Sequence, residues 1–138
     1  MKNSHTQDIL IIEDSVAAAK LLGIFLKELG YQKIHYCENG TSGIQKFQEL
    51  IKSHNVPFVF LDYHLPDITA LIVLKQILKI HPSTNVIVET IEHQNKRGIQ
   101  WLFKLGARYY FPKPYEFDKL REIMNTLESE AVPLTNEN

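Results

Sequence analysis

Apolar positions along the chain fall into short unbroken runs that alternate with stripes at helical spacing. The first run, Ile9-Leu10-Ile11-Ile12, is rich in β-branched side chains and closes on Glu13-Asp14, as a strand covered on both faces does. Ser15 stands as a cap before Val16, Ala19, Leu22, Leu26 and Leu29, which recur at helical spacing until Gly30. Lys33 to Cys37 reads as a short strand and Asn39-Gly40 as a turn. Ile44, Phe47, Leu50 and Ile51 mark a second amphipathic helix ending near Asn55. Pro57 opens a third apolar run, Phe58-Val59-Phe60-Leu61, which Asp62 terminates.

The alternation continues to the C-terminus. Ile68 to Ile80 reads as a helix through Leu71, Leu74, Ile77 and Leu78, and Val86-Ile87-Val88 as a fourth strand. Glu92 to Leu105 forms a helix despite Gly98, Gly106 ends it, and Arg108 to Phe111 is a short aromatic strand. A last helix from Glu116 to Leu127 turns Phe117, Leu120, Ile123 and Leu127 inward. Strands that strictly alternate with helices imply a parallel sheet with right-handed crossovers, so the expected fold is α/β, five-stranded, with helices on both faces. Residues 1–128 make one domain, and 129–138 read as a polar tail or the start of a linker.

Composition narrows the function. The 138 residues fit one domain, and 44% hydrophobic with 22% charged residues is globular usage. A formal charge of -1 provides no basic field for nucleic acid. Apolar runs this short, after a polar N-terminus, give neither a membrane span nor a signal peptide. The lone Cys37 cannot form an intrachain disulfide and suits a reducing, cytoplasmic compartment. No glycine-rich phosphate loop occurs.

In open parallel sheets, ligands bind outside the carboxyl ends of the strands. Here those ends carry Glu13-Asp14, Asp62, Glu89-Thr90 and Lys113-Pro114. Crowded carboxylates repel unless a cation sits among them, and Mg2+ accepts one or two carboxylates together with water and a phosphate oxygen. Asp14 and Asp62 suit direct ligation, with Glu13 reaching through water. Asp62, alone after the central run, is the better nucleophile for a phosphoryl group; Lys113 and Thr90 could then meet its oxygens. Each residue also has an ordinary reading: the acidic pair as helix N-terminal charge, Asp62 as a turn cap, Thr90 as structural, Lys113 as a surface lysine. Their conjunction at strand ends favours the chemical one.

The segments Ile11-Ile12-Glu13-Asp14, Phe60-Leu61-Asp62-Tyr63-His64-Leu65-Pro66, Val86-Ile87-Val88-Glu89-Thr90 and Gly106 to Pro114, in this order and spacing, resemble the receiver domains of two-component response regulators. The likeness covers roughly residues 7–128 and is similar in extent to the stand-alone chemotaxis type. It implies a flavodoxin-like fold with strand order 2-1-3-4-5 and a cis peptide between Lys113 and Pro114. It further implies Asp62 as the phosphorylated aspartate, Glu13 and Asp14 as the acidic pair, and Mg2+ bound with help from the His64 backbone carbonyl. Thr90 and Tyr110 correspond to the switch pair and Lys113 to the pocket lysine. The partners implied are a histidine kinase or histidine phosphotransfer protein and a downstream protein, met through the surface of helix 4, strand 5 and helix 5. The chain would assist its own phosphotransfer and dephosphorylation without being a dedicated enzyme.

Several positions depart from that pattern. Ile91 follows Thr90 where a small residue is usual, Ala70 replaces a glycine, and Pro112 precedes Lys113. His64 and Glu92 flank the pocket and are candidates for tuning the phosphorylated lifetime. Helix 4 carries Trp101, Leu102, Phe103 and Leu105, which cannot all face inward; the readings are an enlarged core or a partner or homodimer surface. A degenerate receiver acting without phosphorylation is the alternative that Ile91 favours. A Mg2+-dependent phosphatase would need a second acid where His64 stands.

Overall fold

The computed structural model describes residues 5–91 and 96–131. Its elements alternate as expected: β1 (Ile9–Ile12), α1 (Val16–Glu28), β2 (Ile34–Cys37), α2 (Gly40–Lys52), β3 (Phe58–Asp62), α3 (Ala70–Ile80), β4 (Val86–Ile91), α4 (Lys96–Leu105), β5 (Tyr109–Lys113) and α5 (Phe117–Ala131). All strand pairs are parallel, and the sheet order is β2-β1-β3-β4-β5.

Side-chain alternation along each buried strand divides the core in two. Ile9, Ile11, Phe60, Ile87 and Phe111 face α1 and α5, meeting Leu22, Leu26, Leu120 and Leu127. Leu10, Ile12, Val59, Leu61 and Val88 face α2, α3 and α4, meeting Phe47, Leu74, Ile77 and Leu102. Each of these fully buried aliphatic or aromatic side chains contributes about 1.5–3 kcal/mol. Parallel register then brings the carboxyl ends of β1, β3, β4 and β5 to one rim: Ile12 lies beside Leu61, Asp62 beside Glu89, and Ile91 beside Lys113.

The boundaries differ from the sequence expectations for identifiable reasons. Asn39 is not part of a free turn, because its side chain accepts from Ser42 N–H at 2.8 Å and caps α2. Asp67, from the loop after β3, adds bonds at 2.8 Å to the N–H groups of Gly40 and Thr41. Thr69 likewise caps α3, which begins at Ala70 rather than Ile68. β5 extends to Lys113 through Pro112, tolerated because β5 is an edge strand. Ser129 to Ala131, expected in the polar tail, continue α5; there Glu130 pairs with Arg108 at 2.8 Å. The start of the fourth helix at Glu92, and Glu92 itself, lie outside the described residues. Gly30 and Gly106 close α1 and α4 with φ of 102° and 123°, conformations that favour glycine. Among the described residues, no helix is long and apolar enough to cross a membrane.

Candidate functional site

Glu13 and Asp14 follow the last residue of β1, where the chain leaves the sheet to enter α1. The Glu13 carboxylate turns inward, only 3% exposed, and its Oε2 accepts from Ser15 N–H at 3.0 Å. Asp14 faces solvent. Asp62 ends the central strand β3 and is likewise 3% exposed. One carboxylate oxygen each of Glu13, Asp14 and Asp62 lies within 4.8 Å of the others.

Lys113, at the end of β5, reaches into this cluster. Its Nζ is 2.6 Å from Glu13 Oε1 and 3.3 Å from Asp62 Oδ1. The peptide bond to Pro114 is cis, as the resemblance implied. The ammonium thus contacts two carboxylates, Glu13 and Asp62, with Asp14 beside them, and the electrostatics show the imbalance. Burial, then the Glu13 charge, push the Asp62 carboxyl up to about 7 despite Lys113. Burial opposes ionisation of Glu13 too, yet bonds from Lys113 and Ser15 hold it below the usual carboxylate range. Burial works against the Lys113 charge, but Glu13 and Asp62 outweigh it and raise the ammonium above its ordinary value. Of the two buried carboxyls, Asp62 is thus the one that takes up a proton first as pH falls.

The other predicted residues lie on β4, β5, the loop after β3 and the neighbouring elements. Thr90 is buried on β4, and its hydroxyl has no hydrogen-bond partner among the described residues. Tyr110 is half-buried on β5, beside Val88 in the register. His64 is exposed in the loop after β3, its ring edge-on to Tyr63 at 5.1 Å. Ile91 is 50% exposed at the end of β4. Ala70 is buried as the first residue of α3, and Cys37 is half-buried, its Sγ donating to Ser42 O at 3.5 Å.

Glu89 pairs with Asp62 in the register at the rim end of β4, yet it is closed off from solvent. It shares the parity of Ile87, so it turns into the core beneath α1 and α5 and is 0% exposed. Burial pushes its carboxyl well above the usual range. Its partner is Tyr115, which sequence reasoning missed: the Tyr115 hydroxyl donates to Glu89 Oε1 in a very short bond and lies 3.4 Å from Glu13 Oε1. The Tyr115 ring stacks on Phe111, centroids 4.9 Å apart and 4° from parallel. The available signal was a carboxylate inside an apolar strand, which needs a buried polar partner.

Two grooves flank the cluster. One, of about 600 Å³, lies between the loop after β3 and α4 and is lined by residues including Tyr63, His64, Ile68 and Trp101. The other, of about 610 Å³, opens between α1 and β2 beside Glu13, Val16 and Tyr36. On α4, Trp101 and Phe103 are both exposed, 56% and 39%, while Leu102 is buried.

A family model of the response regulator receiver domain matches residues 9–125. The chemotaxis protein CheY of Thermotoga maritima is 26% identical over 117 residues, covering 85% of this chain and 93% of that protein. The luminescence regulatory protein LuxO of Vibrio campbellii is 29% identical over 128 residues, 92% of this chain but 27% of the regulator. Among solved structures, the CheX-CheY-BeF3-Mg complex of Borrelia burgdorferi aligns with TM-score 0.78 at 21% identity, covering 92% of this chain and 90% of that one. The receiver domain of a LuxO repressor from Vibrio parahaemolyticus aligns with TM-score 0.73 at 27% identity, covering 92% and 98%.

Proposed function

Because the chain belongs to the response regulator receiver domain family of two-component systems, we propose that it is a phosphoacceptor switch charged on Asp62 by a histidine kinase or a histidine phosphotransfer protein. The observation that carries the reading is the Asp62 carboxyl at the end of the central strand, 3.3 Å from Lys113 and among the carboxylates of Glu13 and Asp14. The donor set fits Mg2+: all oxygen, two buried carboxylates and one open to solvent, with only one ammonium to balance them. Glu13, Asp14, Asp62 and the His64 carbonyl would hold it. Bound Mg2+ would supply positive charge that keeps Asp62 ionised and offsets charge on the transferring oxygens.

The chain's own residues do the rest. Asp62 attacks the phosphorus of a phosphohistidine, the P–N bond breaks, and the imidazole leaves with the bonding pair and takes up a proton. Lys113 exchanges its contacts with Glu13 and Asp62 for a phosphoryl oxygen. The unpartnered Thr90 hydroxyl is a donor waiting for an acceptor, and the phosphoryl group supplies one. Tyr110, on the neighbouring strand, responds to the movement of Thr90, and the surface of α4, β5 and α5 changes its affinity for a protein target. The chain signals rather than acting as a dedicated enzyme, in the cytoplasm, through a receiver unit of residues 1–128.

Exposed Trp101 and Phe103 make α4 the contact element. Pairing α4 with its own copy would set Lys96, Arg97 and Lys104 against like charges, with no acid in α4 to relieve them, so a target with an acidic rim fits better than a homodimer. Incubation with Mg2+ and acetyl phosphate, or with beryllofluoride, tests the acceptor role by mass and by amide NMR shifts. Modification at Asp62, absent from Asp62→Asn, is expected. An unmodified chain under saturating phosphodonor would instead make this a phosphorylation-independent interaction module.

A further inference from the structure

The Glu13 carboxylate accepts from Ser15 N–H on Oε2 and from Lys113 Nζ on Oε1, and the Tyr115 hydroxyl, whose single proton is shared with Glu89, lies 3.4 Å from the same Oε1. Lys113 is also bonded to Asp62 and is the donor that must turn to an incoming phosphoryl oxygen. When it does, the side-chain donor left beside Oε1 among the described residues is the Tyr115 hydroxyl, with its proton shared between Glu13 and Glu89. That hydroxyl is itself tied to the fully buried Glu89, and its ring lies flat on Phe111, so neither end of the Tyr115 side chain is free to swing.

We propose that Tyr115 and Glu89 form a positioning pair for Glu13, holding its carboxylate in the cation-binding orientation when Lys113 leaves it. This rests on the Mg2+ and phosphoacceptor reading above. Groups that orient a metal carboxylate from behind act on affinity as strongly as some direct ligands do. A carboxyl buried in an otherwise apolar strand is costly, and here it is matched by a tyrosine whose ring registers against the same strand pair. Phenylalanine would fill the stacking position equally well, so the hydroxyl is the part that packing does not explain.

The test is a Mg2+ titration of the full chain, followed by amide NMR shifts, with stability measured in parallel. Tyr115→Phe should weaken Mg2+ binding about tenfold. Glu89→Gln, which offers Tyr115 both a donor and an acceptor, should retain wild-type affinity. Pairing Tyr115→Phe with Glu89→Leu removes the stranded buried carboxyl, so stability should recover while Mg2+ binding stays weak. Tyr109→Phe, which deletes a hydroxyl from the opposite end of β5, should change nothing at the site. Wild-type affinity in Tyr115→Phe, or affinity that recovers together with stability in the double variant, overturns the positioning role. If the wild type takes no Mg2+, the metal reading itself falls. The pair is then judged on the Glu13 carboxyl ¹³C resonance of the metal-free protein, which Tyr115→Phe must shift for the pair to stand.

Discussion

At the scale of single residues, the metal-free site is governed by a shortage of positive charge. Among the described residues, Lys113 is the one ammonium touching the buried Glu13 and Asp62. Lys113→Ala should therefore destabilise the fold by about 3–5 kcal/mol at pH 8, as removal of one partner from a buried pair does. The loss should shrink toward pH 5, because Asp62, already pushed up to about 7, takes up a proton instead. Urea titrations of the variant at both pH values check this; an equal loss at both would mean that Lys113 acts through packing alone. The wild type should show the same sign. Asp62 and Glu89 have raised folded pKa values, so between about pH 4 and 7 the folded chain holds protons that the unfolded chain has released. Stability should fall as pH rises through that window, and a metal-free protein more stable at pH 7 than at pH 5 would contradict it. Asp67 works oppositely but lower: its bonds to Thr41 and Gly40 depress its carboxyl, so its contribution is lost only as pH drops below the ordinary carboxylate range.

The sequence revealed Glu13, Asp14, Asp62 and Lys113 as neighbours because each ends a strand, and strand ends in a parallel sheet share a rim. It concealed Tyr115 and the full burial of Glu89, since their meeting depends on the parity of β4 and on the chain path after Pro114. Neither quantity is local in sequence.

Elements follow the same division. Every strand and helix was legible from apolar period, whereas ends set by side chains from elsewhere were not. Asp67 helps start α2, and Arg108, just before β5, pairs with Glu130 where α5 runs past Leu127 and its apolar stripe ends. A close approach between elements was also hidden. Gly98 lets α4 pack against Tyr63, and a Cβ there would collide with the tyrosine hydroxyl. Gly98→Ala should force these elements apart and destabilise the chain by about 1–3 kcal/mol, measured by denaturation. Trp101→Ala removes an exposed side chain, so stability should stay within about 0.5 kcal/mol while target affinity falls. A variant that keeps both would remove α4 from the contact surface.

For the molecule as a whole, a net charge of -1 conceals a division between faces. α3 and α4 together carry Lys75, Lys79, Lys96, Arg97 and Lys104 without an acidic residue, beside the groove that Trp101 lines. Tyr63 connects this face to the acceptor: its backbone follows Asp62, its N–H donates to Glu89 O at 2.9 Å, and its ring packs on Gly98. On the proposed switch reading, a change at Asp62 would reach α4 through Tyr63 and its contact with Gly98, and would shift the balance between arrangements of that face. Trp101 is the single tryptophan of the chain and lines the same groove as Tyr63, so its emission reports the coupling directly. Beryllofluoride with Mg2+ should shift the Trp101 emission in the wild type and leave Asp62→Asn unchanged. Gly98→Ala should still bind the mimic, as seen in NMR shifts around Asp62, with a diminished tryptophan response. Constant emission in a wild type that demonstrably binds the mimic would place the output of the switch away from α4.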